Sequence, residues 1–403
     1  LEPWQAGAPA EGCGTPIAPH DGTNPATWSF NPSGTITIVG DGAFLGLAKV
    51  TNTNELGDPV DDTITYTLTS ITNTNTTNDT TILDKTFLRT SPELNGISGY
   101  INTSSEQISQ DIEGKVVLYD FWTYSCINCI RTLPHLTAWD EKYSEEGLVI
   151  VGIHTPEFEF EKEYDNVVFA TEKFGIKYPV IQDNDKEVWN DFQNRYWPRK
   201  YIADHEGYIR FDHIGEGAYK ETEEVIQLLL RERSEALGKT LGKTDLVNID
   251  EFAHATFKTP ELYFGFNFAE GRNQLGNEEG FSKNKIVDYK LPSKFKQHYF
   301  YMDGMWRNNN DGMKLISDSG KIALHFNAKQ VNIVAANNAI LEITYDGNSI
   351  PLESRGKDIG PDGTVKILEP RLYNLIDSKQ EGSHEIIIEV KNPGFEIFTF
   401  TFG

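Results

Sequence analysis

The stretch DFWTYSCINCIRTLPHL, residues 120–136, decides the fold of this chain. Its two cysteines stand two residues apart and follow KVVLYDFW (115–122), a run of β-branched and aromatic residues that is typical of a buried strand. From Cys126 onward, apolar residues recur every three to four positions, which indicates an amphipathic helix. The sequence therefore predicts a strand, a tight turn and a helix that begins at the cysteine pair.

This spacing of cysteines allows a metal site, a structural disulfide or a redox pair. A zinc site would need further thiolate or imidazole ligands close by in the fold. The chain has a single other cysteine, Cys13, and its nine histidines are scattered without an i, i+4 pair. We therefore place redox chemistry first, a structural disulfide second and metal binding last. Cys13 is expected to be a free or partner-linked thiol, because a bond to the motif would block the pair.

The start of the helix separates the two thiols of the motif. Cys126 is expected to lie ahead of the first turn, exposed and facing unpaired backbone N–H groups, which lower the pKa of a thiol. Cys129 is expected to turn inward against the helix. Cys126 is therefore the predicted nucleophile, and Cys129 is the predicted resolving thiol.

The composition of the chain argues against some classes of binding partner. The chain has 403 residues and a net charge of −24, which argues against nucleic acid and anionic membranes as partners. No stretch approaches the roughly 20 apolar residues of a membrane span. The chain begins LEPWQAGAP without an initiator Met, as a processed form would, and sequons at Asn75, Asn78 and Asn102 favour an exported protein.

The changes of sequence pattern along the chain predict three folded domains, in the order all-β, α/β and all-β. An extended arm is expected first, then a small all-β domain with short β-prone runs such as TITIVG, then an α/β domain in which strands and helices alternate. A linker in GKTLGKTD precedes alternating runs typical of a β-sandwich or jelly roll. The predicted boundaries are 1–34, 35–87, 88–238, 239–246 and 247–403.

Within the α/β domain, periodicity predicts individual elements. Strands are predicted at 115–121, 148–154, 178–182, 199–204 and 208–214. Helices are predicted at 126–146, 161–175, 186–194 and 217–234.

Cys-x-x-Cys after a buried strand resembles the thioredoxin fold, and further positions match. Asp120 lies six residues before Cys126, where thioredoxins carry a buried acid beneath the second cysteine. Trp197-Pro198, in NRYWPRKYIAD, matches the cis-proline that faces the cysteine pair in this fold. His154-Thr155-Pro156 resembles the segment that lies near the cysteine pair in this family, and we assign it no role.

A narrower resemblance is to the extracytoplasmic TlpA/DipZ branch, in which such a domain is followed by a β-sandwich of carbohydrate-binding-module type. SPELNGISGYINT, GKVVLYDFWTYSCINCIRTLPHL and WPRKYIAD look like that branch, and TPELYFGF with GKIALHFNAKQVNIV resembles its sandwich. The resemblance covers residues 88–403. Ile127-Asn128 replaces the Gly-Pro of general thioredoxins, so the redox potential and client preference do not transfer.

The resemblance implies an extracytoplasmic thiol-disulfide oxidoreductase without a cofactor. Cys126 attacks a client disulfide, Cys129 resolves the mixed disulfide with help from Asp120, and Pro198 borders the site. Its implied partners are a disulfide-containing protein client and a membrane thiol donor of the CcdA type.

Aromatic residues around the motif allow two interpretations. Trp122, Tyr124 and Trp197 are candidates for substrate binding, although packing in the core is the commoner role for such residues. Trp306, with the aromatic residues of 299–301, is a candidate for stacking on a surface glycan, against the same alternative of core packing.

Three rival functions stay open on the sequence. Thr123-Tyr124-Ser125-Cys126 satisfies the T-x-x-C of a thiol peroxidase, although Tyr119 stands where that motif has proline. A copper-handling protein of the Sco type is less favoured, because that site has three residues between its cysteines. The non-enzyme rival is a cell-surface or carbohydrate-binding module with a degenerate redox domain.

Overall fold

The structure is a computed structural model that describes residues 27–31, 35–40, 62–67, 85, 88–242, 244–252, 259–269 and 271–403. Arg89–Gly403 belong to one compact unit, whereas the strands before residue 88 belong to another.

The N-terminal unit contains a three-stranded antiparallel sheet. Its strands are β1 (Thr27–Asn31), β2 (Thr35–Gly40) and β3 (Asp62–Thr67), in that order across the sheet. Strand β1 corrects the predicted extended arm of residues 1–34. Its sequence TWSFN is rich in β-prone residues and pairs with β2 along its whole length, Thr27 opposite Val39. Cys13 and the remaining runs of the predicted β domain lie outside the described residues.

The α/β domain has a central six-stranded sheet in the order β4-β7-β6-β5-β8-β9. Strands β5, β6 and β7 are parallel, and the other three are antiparallel to their neighbours. The strands are β4 (Gly99–Ile101), β5 (Val116–Trp122), β6 (Leu148–His154), β7 (Val180–Gln182), β8 (Arg199–Ala203) and β9 (Ile209–Ile214). The helices are α1 (Ser105–Ile112), α2 (Ile127–Tyr143), α3 (Tyr164–Lys173), α4 (Glu187–Asp191) and α5 (Tyr219–Ala236).

All nine predicted elements of this domain occur, with ends within a few residues of those predicted, and the thioredoxin-like α/β fold is confirmed. Every residue of β5 is buried, as expected of a central strand that is covered on both faces. Sequence periodicity missed β4 and α1. Both are short, and α1 is marked mainly by its N-cap, where the Ser104 hydroxyl accepts from the Gln107 N–H.

The end of the predicted linker 239–246 is held against the α/β domain. Val247 N–H donates to the Glu223 carboxylate on α5 at 2.9 Å, and the Gln227 amide donates to the Thr244 carbonyl at 3.0 Å. Lys142 on α2 donates to the carbonyl of Asp245. The end of this segment is therefore fixed on α2 and α5.

The C-terminal β domain, residues 259–403, is one connected ten-stranded sheet. Its strands are β10 (Leu262–Tyr263), β11 (Ile286–Tyr289), β12 (Tyr299–Asn308), β13 (Met313–Leu315), β14 (Gly320–Ala336), β15 (Ala339–Tyr345), β16 (Asn348–Ser349), β17 (Thr364–Ile367), β18 (Arg371–Val390) and β19 (Glu396–Phe402). A short helix, α6 (Phe266–Ala269), interrupts the expected all-β pattern.

Two long strands explain why this domain differs from a pair of separate sheets. Strand β14 pairs with β12 along its first half and with β19 along its second half, and β18 follows it through both, with register shifts near Gln330. Side chains from strands along the whole sheet form one buried cluster. The predicted sandwich therefore appears as a single continuous sheet that encloses a core.

The contacts of Trp306 and Asn102 bear on the two surface interpretations that the sequence left open. Trp306 and Phe300 are fully buried and Tyr301 is buried, so the core interpretation holds and these rings present no face to a glycan. The side-chain amide nitrogen of Asn102 donates to the carbonyls of Ile176 and Tyr178, so the atom that a glycan would modify is already engaged. The sequons at Asn75 and Asn78 lie outside the described residues.

Candidate active site

Helix α2 begins at the cysteine pair. Cys126 is its N-cap, and the Cys126 sulfur accepts the backbone N–H of Cys129 at 3.3 Å. A sulfur in this place meets N–H groups that have no helical partner, and these favour its thiolate form. The local structure therefore supports the assignment of Cys126 as the nucleophile.

Both cysteines are buried, so the expected exposure of Cys126 is wrong. Cys126 is 2% exposed and Cys129 is 1% exposed, and both belong to the hydrophobic core of the domain together with Tyr124 and Trp197. The two cysteines are not bonded to each other. Cys129 is a free thiol, whereas Cys126 is disulfide-bonded.

Cys129 is held in its protonated form. Burial raises the pKa of the Cys129 thiol well above its usual value, and the carboxyl groups of Asp120, Glu157 and Glu161 raise it further. A thiol of this kind attacks a disulfide only after a base has taken its proton. The site therefore needs a proton acceptor near Cys129.

Asp120 has the properties of such an acceptor. It lies on β5, is 1% exposed, and its Oδ1 has no hydrogen-bond partner. Burial raises the pKa of Asp120 to about 7, although the charge of Lys200 opposes the rise. A carboxyl group with this pKa exchanges its proton near neutral pH. The predicted raised pKa is therefore present, and the catalytic role of Asp120 stays a prediction.

Lys200 is a functional candidate that sequence reasoning missed. In the antiparallel pair of β5 and β8 it lies directly opposite Asp120, so both side chains project from the same face of the sheet. It is fully buried, and its ammonium group donates to the Gly215 carbonyl at 3.3 Å. Burial lowers the pKa of Lys200, while Asp120 and Cys129 raise it. A lysine in a strand is normally solvent-facing, and its place two residues after Pro198 was the one available signal.

The Trp197-Pro198 peptide bond is cis, as the resemblance implied. Strand β8 starts at Arg199, which pairs with Phe121 near the end of β5. Because the two strands are antiparallel, the proline segment and the Cys126 turn lie at the same end of the strands. The contribution of Pro198 to client binding stays a prediction.

The motif His154-Thr155-Pro156 joins these two segments. Thr155 N–H donates to the Trp122 carbonyl at 3.0 Å, and the Trp197 indole N–H donates to the Thr155 carbonyl at 3.0 Å. His154 is fully buried and stacks on Tyr124 with ring centroids 5.6 Å apart. Burial lowers the pKa of His154 to about 3, so the ring is neutral. This motif, which had no assigned role, positions the turn of the cysteine pair beside the proline segment.

The three candidate substrate-binding aromatics are all buried. Trp122 is fully buried, Tyr124 is 4% exposed and Trp197 is 2% exposed. Their contacts are those of core side chains, and contact with a client stays a prediction.

Glu161 and Ser125 form a second polar group that the sequence did not reveal. Glu161 lies in a short 3-10 helix, Glu159–Lys162, and is fully buried. Its Oε1 accepts the Ser125 hydroxyl at 2.5 Å, and its Oε2 accepts the N–H groups of Glu157 and Phe158 at 2.7 and 2.9 Å. The run EFEFEKE appears solvent-facing in sequence, so no pattern marked the buried member.

Within the described ranges, no group of three or more His, Cys, Asp or Glu side chains could hold a metal ion. None of the helices in the described part of the chain is long and apolar enough to cross a bilayer.

Two family models match, and they coincide with the two large domains. Residues 93–212 match the AhpC/TSA family, and residues 259–403 match the family described as thioredoxin like C-terminal domain. The first match lies in the α/β domain, and the second covers the C-terminal β domain.

Curated relatives cover the same two domains. The proteins named DipZ of Mycobacterium bovis and Mycobacterium tuberculosis are each 32% identical over 317 residues, which is 78% of this chain and 43% of theirs. The thiol-disulfide oxidoreductase YkuV of Bacillus subtilis is 28% identical over 143 residues, 35% of this chain and 94% of its own. A solved thioredoxin-like protein in the oxidised form is 27% identical, covers 36% of this chain and 97% of its own, and has a TM-score of 0.33. The chain thus spans less than half the length of the DipZ relatives.

Proposed function

Since the chain is a homologue of the DipZ proteins, with a thioredoxin-like domain followed by a C-terminal β domain, we propose that it is an extracytoplasmic thiol-disulfide oxidoreductase that reduces disulfides of client proteins. One observation carries the proposal. Cys126 caps a helix, and the buried thiol of Cys129 follows it in the same domain as Asp120, a buried carboxyl group whose Oδ1 lacks a hydrogen bond. This is the division of labour that disulfide exchange requires.

Once the disulfide at Cys126 has been reduced, the reaction begins with a thiolate at this residue, favoured by the N–H groups of α2. It attacks one sulfur of the client disulfide, a mixed disulfide forms, and the second client sulfur leaves as a thiolate that takes up a proton. The Cys129 thiol then loses its proton to Asp120 and attacks the Cys126 sulfur. The first client sulfur leaves, and the products are a client dithiol and a Cys126–Cys129 disulfide. Two electrons have passed from the cysteine pair to the client.

Completion of the cycle requires a reductant outside this chain. We propose a membrane thiol donor of the CcdA type, as the resemblance to the TlpA/DipZ branch implies. Such a donor would attack the Cys126 sulfur of the oxidised pair and return both electrons. Addition of a donor of this class in vesicles should restore free thiols at Cys126 and Cys129, and their mass-spectrometric labelling measures the recovery.

Trapping tests the reaction directly. In a Cys129→Ser variant the mixed disulfide at Cys126 cannot be resolved, so client proteins should accumulate as adducts that reducing agent releases. Cys126→Ser is the matched control and should trap none. Equal capture by both variants, or no adducts with either, would remove the oxidoreductase proposal.

A thiol peroxidase is the second candidate, because residues 93–212 match the AhpC/TSA family. In its T-x-x-C sequence, the Thr123 hydroxyl is fully buried and lies 3.4 Å from His154 Nε2. Consumption of hydrogen peroxide by the reduced protein without a client disulfide would favour this candidate. We expect no consumption above that of Cys126→Ser.

The C-terminal β domain leaves a binding function open to test. A surface glycan is the ligand that the resemblance to carbohydrate-binding modules implies. Glycan-array binding that survives loss of both Cys126 and Cys129 would favour a binding module with a degenerate redox domain. With the redox function proposed here, trapping by Cys129→Ser occurs whether or not a glycan binds.

A further inference from the structure

The C-terminal β domain packs against the turn of helix α2 that carries the two cysteines. A buried apolar cluster crosses between the two domains, and Ile127, which stands between Cys126 and Cys129, is part of it. The buried members of this cluster are Phe158, Tyr263, Val334, Ala336, Leu372 and Phe398, and Ile127, Ile130, Phe160 and Phe268 pack against them. The helix that presents the thiols is therefore supported in part by the β domain.

A chain of hydrogen bonds follows the same path. Tyr263 on β10 is fully buried, and its hydroxyl lies 2.9 Å from Glu157 Oε1 and 3.0 Å from Glu261 Oε2. The backbone N–H of Glu157 donates to Glu161, which in turn accepts the hydroxyl of Ser125. Ser125 is the residue directly before Cys126. A polar path therefore runs from the β domain to the nucleophile.

The number of protons on this path is limited. A tyrosine hydroxyl has one hydrogen, so it can donate to only one of its two carboxyl neighbours, and the second contact needs a proton on a carboxyl group. When the Tyr263 O–H donates to Glu157, this second proton lies on Glu261; when Glu157 is protonated, its own O–H donates to Tyr263. Burial and the charge of Glu161 raise the pKa of Glu157 to about 7, although the hydrogen bond from Tyr263 opposes the rise. The charged and titratable groups around Glu157 come from both domains: Glu161, Lys186, Glu261, Tyr263 and Arg272.

We infer that Tyr263 is a positioning residue of the redox site, whose hydroxyl fixes the charge on the carboxyl groups next to Ser125 and thereby sets how readily the cysteine pair ionises. The inference rests on the proposed function and adds the C-terminal β domain to its machinery. With Tyr263 present, its O–H donates to Glu157 and favours the carboxylate. This carboxylate and that of Glu161 repel a thiolate at Cys129.

The test compares two buried tyrosines of the same domain. Tyr289 is also fully buried, but its hydroxyl contacts Gly280 and Asn308, away from the cysteines. In the reduced full chain, alkylation of each cysteine is followed against pH by peptide mass spectrometry. In Tyr263→Phe, Glu157 keeps its proton to higher pH, so Cys129 should react about two- to tenfold faster near pH 8. Tyr289→Phe should leave the profile unchanged.

A second variant separates an electrostatic effect from a loss of structure. Glu157→Gln removes the same charge and should speed alkylation of Cys129 in the same direction. The Tyr263→Phe/Glu157→Gln double variant should then show no more than the effect of Glu157→Gln. An unchanged profile in Tyr263→Phe, equal shifts in both tyrosine variants, or additive effects in the double variant would overturn the inference. Alkylation needs no client, so a failure of client trapping would count against the proposed function alone.

Discussion

The two buried carboxyl groups beside the cysteine pair differ in how their oxygens are satisfied. Glu161 accepts hydrogen bonds on both oxygens, from Ser125 and from two backbone N–H groups. Asp120 is equally buried, but its Oδ1 has no partner. A buried acceptor without a partner favours a proton on the group, whereas several donors favour the carboxylate.

This difference separates a proton carrier from a positioning group. Asp120, with a pKa of about 7, can gain and lose a proton as Cys129 reacts. Glu161 holds the 3-10 helix and Ser125 in place through its bonds, which oppose the rise in its pKa that burial causes. In the proposed mechanism, Asp120 therefore serves the proton transfer, whereas Glu161 serves the geometry of the turn.

The largest expected effect is on stability, at Glu161. Glu161→Leu leaves a hydroxyl and two N–H groups without an acceptor, at about 1–3 kcal/mol each, so the free energy of unfolding should fall by about 3–9 kcal/mol. Urea denaturation followed by tryptophan fluorescence measures the loss.

Exposed Glu172 on α3 provides the matched control for this loss. Glu172→Leu should change the stability by about 0.5 kcal/mol or less. If Glu161→Leu does not fold, Glu161→Gln, which keeps an acceptor for the two N–H groups, should lose only about 1–2 kcal/mol. Equal losses for Glu161→Leu and Glu172→Leu would contradict a positioning role.

Replacement of Asp120 should raise the free energy of unfolding, whereas replacement of Glu161 should lower it. Its pKa in the folded protein, about 7, lies above the usual 3.8. Ionisation therefore costs stability increasingly as the pH rises from about 4 to about 7. Asp120→Asn avoids this cost, so it should be more stable than the wild type at pH 8 by up to about 4 kcal/mol, less what Lys200 loses without its counter-charge. Urea denaturation at pH 5 and pH 8 measures the gain. A gain that is equal at both pH values would contradict the raised pKa.

A smaller effect is expected at Lys200. Its charge lowers the pKa of Asp120, so Lys200→Met should raise that pKa and move the pH dependence of client reduction toward alkaline pH. At neutral pH the rate should change by less than about tenfold. Lys177→Met, at an exposed lysine of the same domain, is the control and should leave the profile in place. A shift of the pH dependence toward acidic pH in Lys200→Met would contradict the proposed interaction between Lys200 and Asp120.

Sequence patterns predicted the elements that carry strong periodicity. Strands β5 and β6 and helices α2 and α5 follow from runs of apolar residues at periods set by their own backbone. Spacing within short motifs also located the cysteine pair at the start of α2, the buried Asp120 and the cis-proline, whereas their catalytic roles stay a prediction. The three-residue strand β4 was missed, because so short a run has no measurable period.

Contacts between distant segments could not be predicted from the sequence. Lys200 becomes a neighbour of Asp120 only through the register of β5 and β8. Glu161 is buried because the 3-10 helix turns it toward Ser125, although its acidic run indicates a surface. The exposure expected for Cys126 failed for the same reason, since a helix start predicts the direction of N–H groups but not what packs over them.

The pH dependence of the resolving step tests the central claim most directly. A chromogenic aromatic thiol linked by a disulfide to Cys126 is released when Cys129 attacks, so the rate of colour formation reports loss of the Cys129 proton. In the wild type, the rate should rise with pH through an inflection near 7, the pKa of Asp120. Asp120→Asn should lack this inflection and react about 10²-fold more slowly at neutral pH, whereas Glu161→Gln should keep the inflection. An unchanged inflection in Asp120→Asn would contradict the assignment of Asp120 as the proton acceptor.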